Sequence, residues 1–385
     1  MDTEEIERKK SEAHKRRVRY GYMMALFCAV LWAIWYIPGT YIWSFDPVNY
    51  FMGVVDGLSN AEVDALLDSG EYFSTTAFLA AAVMITALNA AFVIFSYFLW
   101  NLGLGKAKFS EMKRSVREIR ACTKYYFLGA ICGGPIAILG SFIAMGYIGG
   151  FFAAVAALAY PVIGTFLSRV WLGQKISHRA IMGIVIIVIG SFTAFGMVMY
   201  SELTSPDANM IGVIGGLMAL CGWGVEGAIA AKGIDVSEPD IAITMRFGME
   251  NLIWWVIALP LLTIMVPEVW SYIWMMLTDP VILLTLVMVG LTFGFCYVTW
   301  YKSFPLIGVG RGQGVGSLYG ILSLIFLVLF FGVIGTFNSD DPVYIISIVI
   351  GAILCTVGTF VMFTEKSDEV ESLRDTGESK GDENS

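Results

Sequence analysis

The chain has 385 residues, of which 57% are hydrophobic and 15% charged, with a formal net charge of −8. Soluble globular chains carry about 25% charged residues, and the mean hydropathy here is +0.73, so the composition excludes an ordinary soluble protein. A membrane crossing takes ~20 apolar residues, and ten such stretches use roughly half of the chain, leaving little for a separate soluble domain.

A basic head, residues 1–19, holds Arg16, Arg17 and Arg19 just before the first apolar stretch. It resembles a signal peptide, but the stretch is too long and no small-residue cleavage site follows, so it reads as a retained helix. Ten predicted segments follow in order: Tyr20 to Trp43, Ser74 to Asn101, Tyr126 to Tyr147, Phe151 to Leu172, Ala180 to Tyr200, Met210 to Ala231, Ile241 to Met265, Pro280 to Tyr301, Gly308 to Phe331 and Pro342 to Phe363. Pro38-Gly39 in segment 1 predicts a break that exposes backbone groups to a cavity. The loop 44–73 is acidic, and Ser59-Asn60 with Glu62 predicts a capped, short amphipathic helix there. The acidic tail 365–385 reads as disordered and solvating.

Lys and Arg gather at both termini and in every second gap, while the intervening gaps hold 12 carboxylates and no base. By the positive-inside rule both termini lie in the cytoplasm, which makes this a multi-pass protein of the cell membrane. The acidic outer mouth concentrates cations and repels anions. None of the six Cys lies in an outer gap and both His are on basic flanks. Disulfides, a metal site and a cofactor are therefore not expected, and neither is a nucleic-acid partner. With no His in the spans, no nucleophile–base constellation for an enzyme is found.

Matching Ile148-Gly149 with Ile307-Gly308 also matches Tyr160 with Tyr319, at one offset of 159; Trp32 matches Trp223 at an offset of 191. The longer loops after segments 1 and 2 absorb the difference. The segments thus read as two five-helix repeats, 20–200 and 210–364, and because five is odd the second is inverted. The run AAVAALAYPVIGTFLSRVWLGQKISHRAIMGIVIIVIG, Ala153 to Gly190, resembles the close of the first repeat in the ten-helix drug/metabolite transporter superfamily, of EamA-like type. It shows a Tyr-Pro in segment 4, a Leu-Gly exit, a basic turn and a Gly-spaced segment 5. The family usually has Glu after that Leu-Gly, and this chain has Gln174. The resemblance implies an all-α carrier of a metabolite or drug with its site between inverted repeats.

Two carboxylates lie well inside spans, Glu226 and Glu250. A charged residue at a helix centre costs roughly 2.5–3.5 kcal/mol on insertion scales and marks function by default. Glu226 has no basic neighbour on its own helix and stands beside Trp223, Gly222 and Gly227; Glu250 either pairs privately with Arg246 one turn earlier or carries substrate or a proton. Trp32, Trp35 and Tyr36 share a face of segment 1, and Trp254 shares one with Glu250. Aromatic faces beside carboxylates make a site for an ammonium, although plain packing explains any single ring equally well. Trp43, Trp100, Trp171, Trp270, Trp274 and Trp300 sit at segment ends, where an interfacial role suffices. In GVGRGQGVGSLYG of segment 9 the four-residue glycine repeat suits close helix packing, with no strand or Lys-Ser/Thr for a phosphate loop. Arg311 reads as an anchor at the inner rim.

The expected function is secondary transport of a cationic or zwitterionic small metabolite, such as a quaternary amine, by alternating access. Glu226 would hold the ammonium or exchange a proton; Trp223, Trp32, Trp35, Tyr36 and Trp254 would line the site; Glu250 would be a second charge or coupling site. Anionic cargo is disfavoured because no basic residue sits at the centre of a span. Broad drug or amino-acid export, and a non-transporting sensor or enzyme that binds an amine, are the alternatives.

Overall fold

A computed structural model describes residues 3–70, 73–103, 113, 117, 120–204, 210–234, 237–337 and 342–363. The tail 365–385 lies outside these. Every regular element among them is helical, and nine helices are long and apolar enough to cross a membrane. The chain is a polytopic helical membrane protein. Hydrocarbon offers no partner to a backbone amide, so apolar runs of this length must satisfy their own hydrogen bonds as helices. Their outward faces are greasy: Ile264 is 80% exposed and Leu329 78%, a surface that suits lipid and not water.

Segment 1 belongs to one helix, Thr3–Tyr41, which carries the basic head into the apolar stretch without interruption. The expected break at Pro38-Gly39 is absent. Pro38 stands in the last turn, where its missing N–H forfeits one bond, to the Ile34 carbonyl, and a bend has only three residues of helix left to redirect, and Gly39 lets Met145 of segment 3 pack against it. Helix Thr75–Gly103 is segment 2, and segment 5 is helix His178–Thr204, whose described apolar part, His178–Ala194, is shorter than a full crossing.

The interruptions fall elsewhere. Segment 3 runs Arg120–Ile131, widens to a π-turn at Cys132–Ile138 and resumes as Leu139–Ile148. Segment 7 does the same at Ile253–Ala258, between Pro239–Leu252 and Leu259–Met265. Segment 4 is split into Gly150–Ala156 and Tyr160–Leu172, and segment 9 into Val309–Gly316 and Tyr319–Phe337. Before these two split helices stand Gly149 at φ 83°, ψ 159° and Gly308 at φ 82°, ψ 163°, a backbone conformation essentially open to glycine alone. The splits lock to each other: the Tyr160 hydroxyl donates to the Gln313 carbonyl at 2.8 Å, and the Tyr319 hydroxyl donates to the Ala154 carbonyl at 2.9 Å.

Helix Met210–Ile234, segment 6, packs along segments 3 and 4; segment 1 packs along helix Pro280–Ile307, segment 8, and along segment 9; segment 5 packs along helix Pro342–Phe363. Small residues permit these approaches. A Cβ at Gly222 would stand 2.5 Å from the Cys132 carbonyl oxygen.

The acidic loop folds over one end as helices Asp46–Val55 and Asn60–Ser69. Phe51 contacts Tyr272 in helix Val269–Thr278, and the Ser74 amide donates to Asp56 at 2.8 Å, closing the loop onto segment 2. As expected, Ser59 opens the second helix: its amide and its hydroxyl both donate to Glu62 at 2.7 Å. These donors, the amide first, hold the Glu62 carboxyl below its ordinary pKa. A lowered folded-state pKa means stability that is complete above the unfolded value and lost as pH falls through the folded one. Protection of the Val63–Leu67 amides against hydrogen exchange, corrected for intrinsic rate, should therefore fall below about pH 4. In Glu62→Gln that dependence should vanish.

Candidate substrate-binding site

Segments 6 and 7 bring three ionisable side chains together at zero exposure: Glu226, Arg246 and Glu250. Arg246 Nε donates to Glu226 Oε1 at 2.6 Å, and Arg246 Nη1 donates to Glu250 Oε2. Glu250 is Arg246's neighbour one turn on, as the spacing required. Glu226 is also Arg246's partner, across the helix interface, so the reading of Glu226 by its own helix alone is corrected. So is the expectation that no base stands among the central groups. Two carboxyl groups share one guanidinium.

Segment 8 completes the shell. Tyr297 donates to Glu226 Oε2 at 2.8 Å and Tyr301 to Oε1 at 3.1 Å, while Trp223 Nε1 donates to the Tyr297 hydroxyl at 2.8 Å. Trp254 Nε1 donates to Glu250 Oε1 at 3.2 Å. A continuous chain of hydrogen bonds thus links Trp223, Tyr297, Glu226, Arg246, Glu250 and Trp254, with both carboxylates accepting. The Arg246 guanidinium also lies 3.9 Å from the centre of the Phe247 ring and 5.0 Å from that of Tyr297. Its Nη2 has no hydrogen-bond partner among the described residues.

The π-turn of segment 3 gives this network its room. A Cβ at Gly133 would fall onto Arg246 Nη2 and the Glu226 carboxylate, and one at Gly134 would stand 2.7 Å from Glu250 Cδ. Pro135 within that turn removes a backbone donor, which a widened turn accommodates.

Beside the ion network lies an aromatic cluster. Trp32 stacks on Tyr319 with centroids 4.7 Å apart and meets Trp223 edge-on at 4.6 Å. Trp300, Tyr160 and Tyr297 surround it, and Tyr36 stacks on Tyr319 at 5.7 Å. The indole nitrogens of Trp32 and Trp300 are buried without an acceptor among the described residues. Gln313 ties segment 9 to this cluster, donating to the Trp223 carbonyl at 3.1 Å.

Of the residues singled out in the sequence, Glu226, Glu250, Trp223 and Trp254 therefore share one hydrogen-bonded network, and Trp32 and Tyr36 border it. Trp35 turns to segments 2 and 8, donating to Asn89 at 3.3 Å and stacking on Phe293 at 4.3 Å. Trp300 is no interfacial residue: segment 8 continues to Ile307, which buries it completely. Tyr297, Tyr301 and Gly133-Gly134-Pro135 were not singled out. Two tyrosines four apart in an apolar span, and Gly-Gly-Pro in the middle of another, were the available signals. Arg311 is buried at the start of segment 9, within reach of the Ile307 carbonyl at 3.5 Å.

No family model matches the chain, and no curated protein does. Twenty-four solved chains match in structure. One, described as a crystal structure of a protein, superimposes with a TM-score of 0.52 at 13% identity, over 89% of this chain and 98% of its own. That likeness concerns the fold alone.

Proposed function

We propose that this protein is a secondary transporter of a small organic metabolite with a cationic or zwitterionic head, working by alternating access between two inverted five-helix repeats of a ten-span bundle whose termini are both cytoplasmic. The observation that carries the reading is the fully buried network of Glu226, Arg246 and Glu250. Each ionised group inside a span costs roughly 2.5–3.5 kcal/mol on insertion scales, and such groups mark substrate and ion pathways. Apolar side chains of similar volume would often serve packing as well or better.

Equivalent features at one sequence offset support the repeat. Tyr160 and Tyr319 are 159 apart, and so are the carbonyls they reach, Ala154 and Gln313, each tyrosine bonding to the other's half. Gly149 and Gly308, the same distance apart, share one backbone conformation. Packing partners exchange likewise: segment 1 on 8 and 9, segment 6 on 3 and 4.

Two carboxylates against one guanidinium leave room for one more cation. An ammonium that displaced Arg246 from Glu226 would leave the guanidinium with Glu250, one carboxylate to each cation. A zwitterion fits the same arrangement when its carboxylate takes Arg246 Nη2 or the indole donors of Trp32 and Trp300. Glu226 and Glu250 are the proposed coupling groups for a proton.

The test is charge movement on proteoliposomes challenged with betaine-like and choline-like amines, amino acids and neutral sugars. Substrate currents should fall at least about tenfold in Glu226→Gln, because a buried charge-assisted hydrogen bond contributes about 1.5–3 kcal/mol. Currents unchanged by that substitution would return the network to a structural role. Ligand binding without flux would favour an amine sensor.

A further inference from the structure

One cleft lies apart from the buried network. Arg17 and Tyr20 of segment 1, Pro239 at the start of segment 7, and Lys302, Pro305 and Leu306 near the end of segment 8 enclose about 280 Å³. This is just below the range of about 300–1,000 Å³ usual for small-molecule sites, so it suits a headgroup and not a whole amphiphile.

Its lining carries two cations, Lys302 and Arg17. Lys302 Nζ is 2.9 Å from Asp240 Oδ1 and lies 4.9 Å from the centre of the Trp100 ring. Trp100 Nε1 donates to the same Asp240 oxygen at 3.1 Å. Lys302 is thus held in place and largely balanced. Arg17, exposed on the other wall, adds a second positive charge. The surroundings suit a membrane ligand. From Tyr20 at the cleft, Met23 and Phe27 continue along one face of the helix, three and seven residues on, and are 46% and 51% exposed. A cationic cleft with an apolar track leading from it toward the middle of the span fits a phosphodiester with its acyl chains.

We propose that this cleft binds the phosphodiester headgroup of an anionic phospholipid, with Arg17 and Lys302 as its cationic walls and the Tyr20–Met23–Phe27 face receiving an acyl chain. Basic pockets between transmembrane helices recognise anionic headgroups in this manner. The site is placed to influence the buried network. Lys302 adjoins Tyr301, which donates to Glu226, and its partner Asp240 lies on the same helix as Arg246. The proposal does not depend on the transport reading, since it is a statement about binding.

The test is native mass spectrometry of the full chain in detergent, titrated with phosphatidylglycerol and, separately, phosphatidylcholine. Wild type should retain phosphatidylglycerol preferentially. Arg17→Gln should weaken that binding about fivefold, the effect of one basic residue near a headgroup, with phosphatidylcholine unaffected, and Lys302→Gln should weaken it similarly. Arg8→Gln, on the exposed start of the same helix, should match wild type. Arg17 is exposed, so its variant decides the matter even if Lys302→Gln does not fold. Equal phosphatidylglycerol binding in Arg17→Gln and Arg8→Gln would overturn the proposal. Displacement of the lipid by millimolar glycerol 3-phosphate or inorganic phosphate would also overturn it, by showing a site for a soluble phosphate.

Discussion

Replacing Arg246 by Met should destabilise the protein by about 3–5 kcal/mol, the usual penalty for removing one partner of a buried ion pair. Glu226 and Glu250 would then be two buried carboxyl groups without a counter-charge, although Tyr297, Tyr301 and Trp254 would still donate to them. The loss comes from stranding charge and not from losing volume, because Met fills much of the space of the arginine stem. Removing the remaining charges should therefore reverse it. In Glu226→Gln, Arg246→Met, Glu250→Gln combined, the amide oxygen at 226 can accept from one tyrosine while its NH2 donates to the other hydroxyl, the amide oxygen at 250 can accept from Trp254, and most of the lost thermal stability should return.

That combined variant separates structure from function. If the network exists for transport, the neutral protein should melt near the wild-type temperature in detergent and carry no substrate current. If it melts normally and still transports, the buried charges are a packing device and the site lies elsewhere. Strong non-additivity is part of the expectation, since the three residues touch: the triple variant should be more stable than Arg246→Met alone.

The helical membrane fold was legible because hydropathy in a long chain is a sum over many residues, and local errors cancel. Segment 8 is instructive about ends. Lys302 after Tyr301 marked an interface, but its ammonium reaches Asp240 and lies over Trp100, and with that charge balanced the helix continues inward-packed to Ile307. Trp300 is buried as a result. Glu226 and Glu250 stood out through their burial cost alone. Their meeting through Arg246 was not legible, because the joining contact is between helices and residue spacing reports only one helix at a time. Pro38-Gly39 and Gly133-Gly134-Pro135 show the same limit: both carry the composition of a break, yet the first ends a regular helix and the second widens one. What differs is the neighbour. Gly39 faces a flexible methionine, whereas Gly133 and Gly134 face the ion network.

Gly133→Ala should accordingly act as a substitution in the site, although residue 133 bears no functional group. Its Cβ would occupy the position of Arg246 Nη2, and the guanidinium has little freedom to withdraw, being held by both carboxylates and by the Phe247 and Tyr297 rings. Overpacking of this kind costs about 1–3 kcal/mol, here with displacement of the charges. Lysine at 246 ends in a compact ammonium and not a forked guanidinium, so it has no Nη2 to collide. Arg246→Lys should destabilise on its own, by giving up one of the two ion pairs, and Gly133→Ala should cost less on that background, where only its clash with the Glu226 carboxylate remains. Thermal or denaturant midpoints of the four proteins in the cycle should give a coupling of at least about 1 kcal/mol, in the range seen for residues in contact. Gly222→Ala provides the contrast, since its Cβ would meet the backbone of segment 3 at Cys132 and Ala137; its cost should be the same with Arg or Lys at 246. Additivity between Gly133→Ala and Arg246→Lys within about 0.3–0.5 kcal/mol would remove Gly133 from the site and leave the π-turn as a feature of packing.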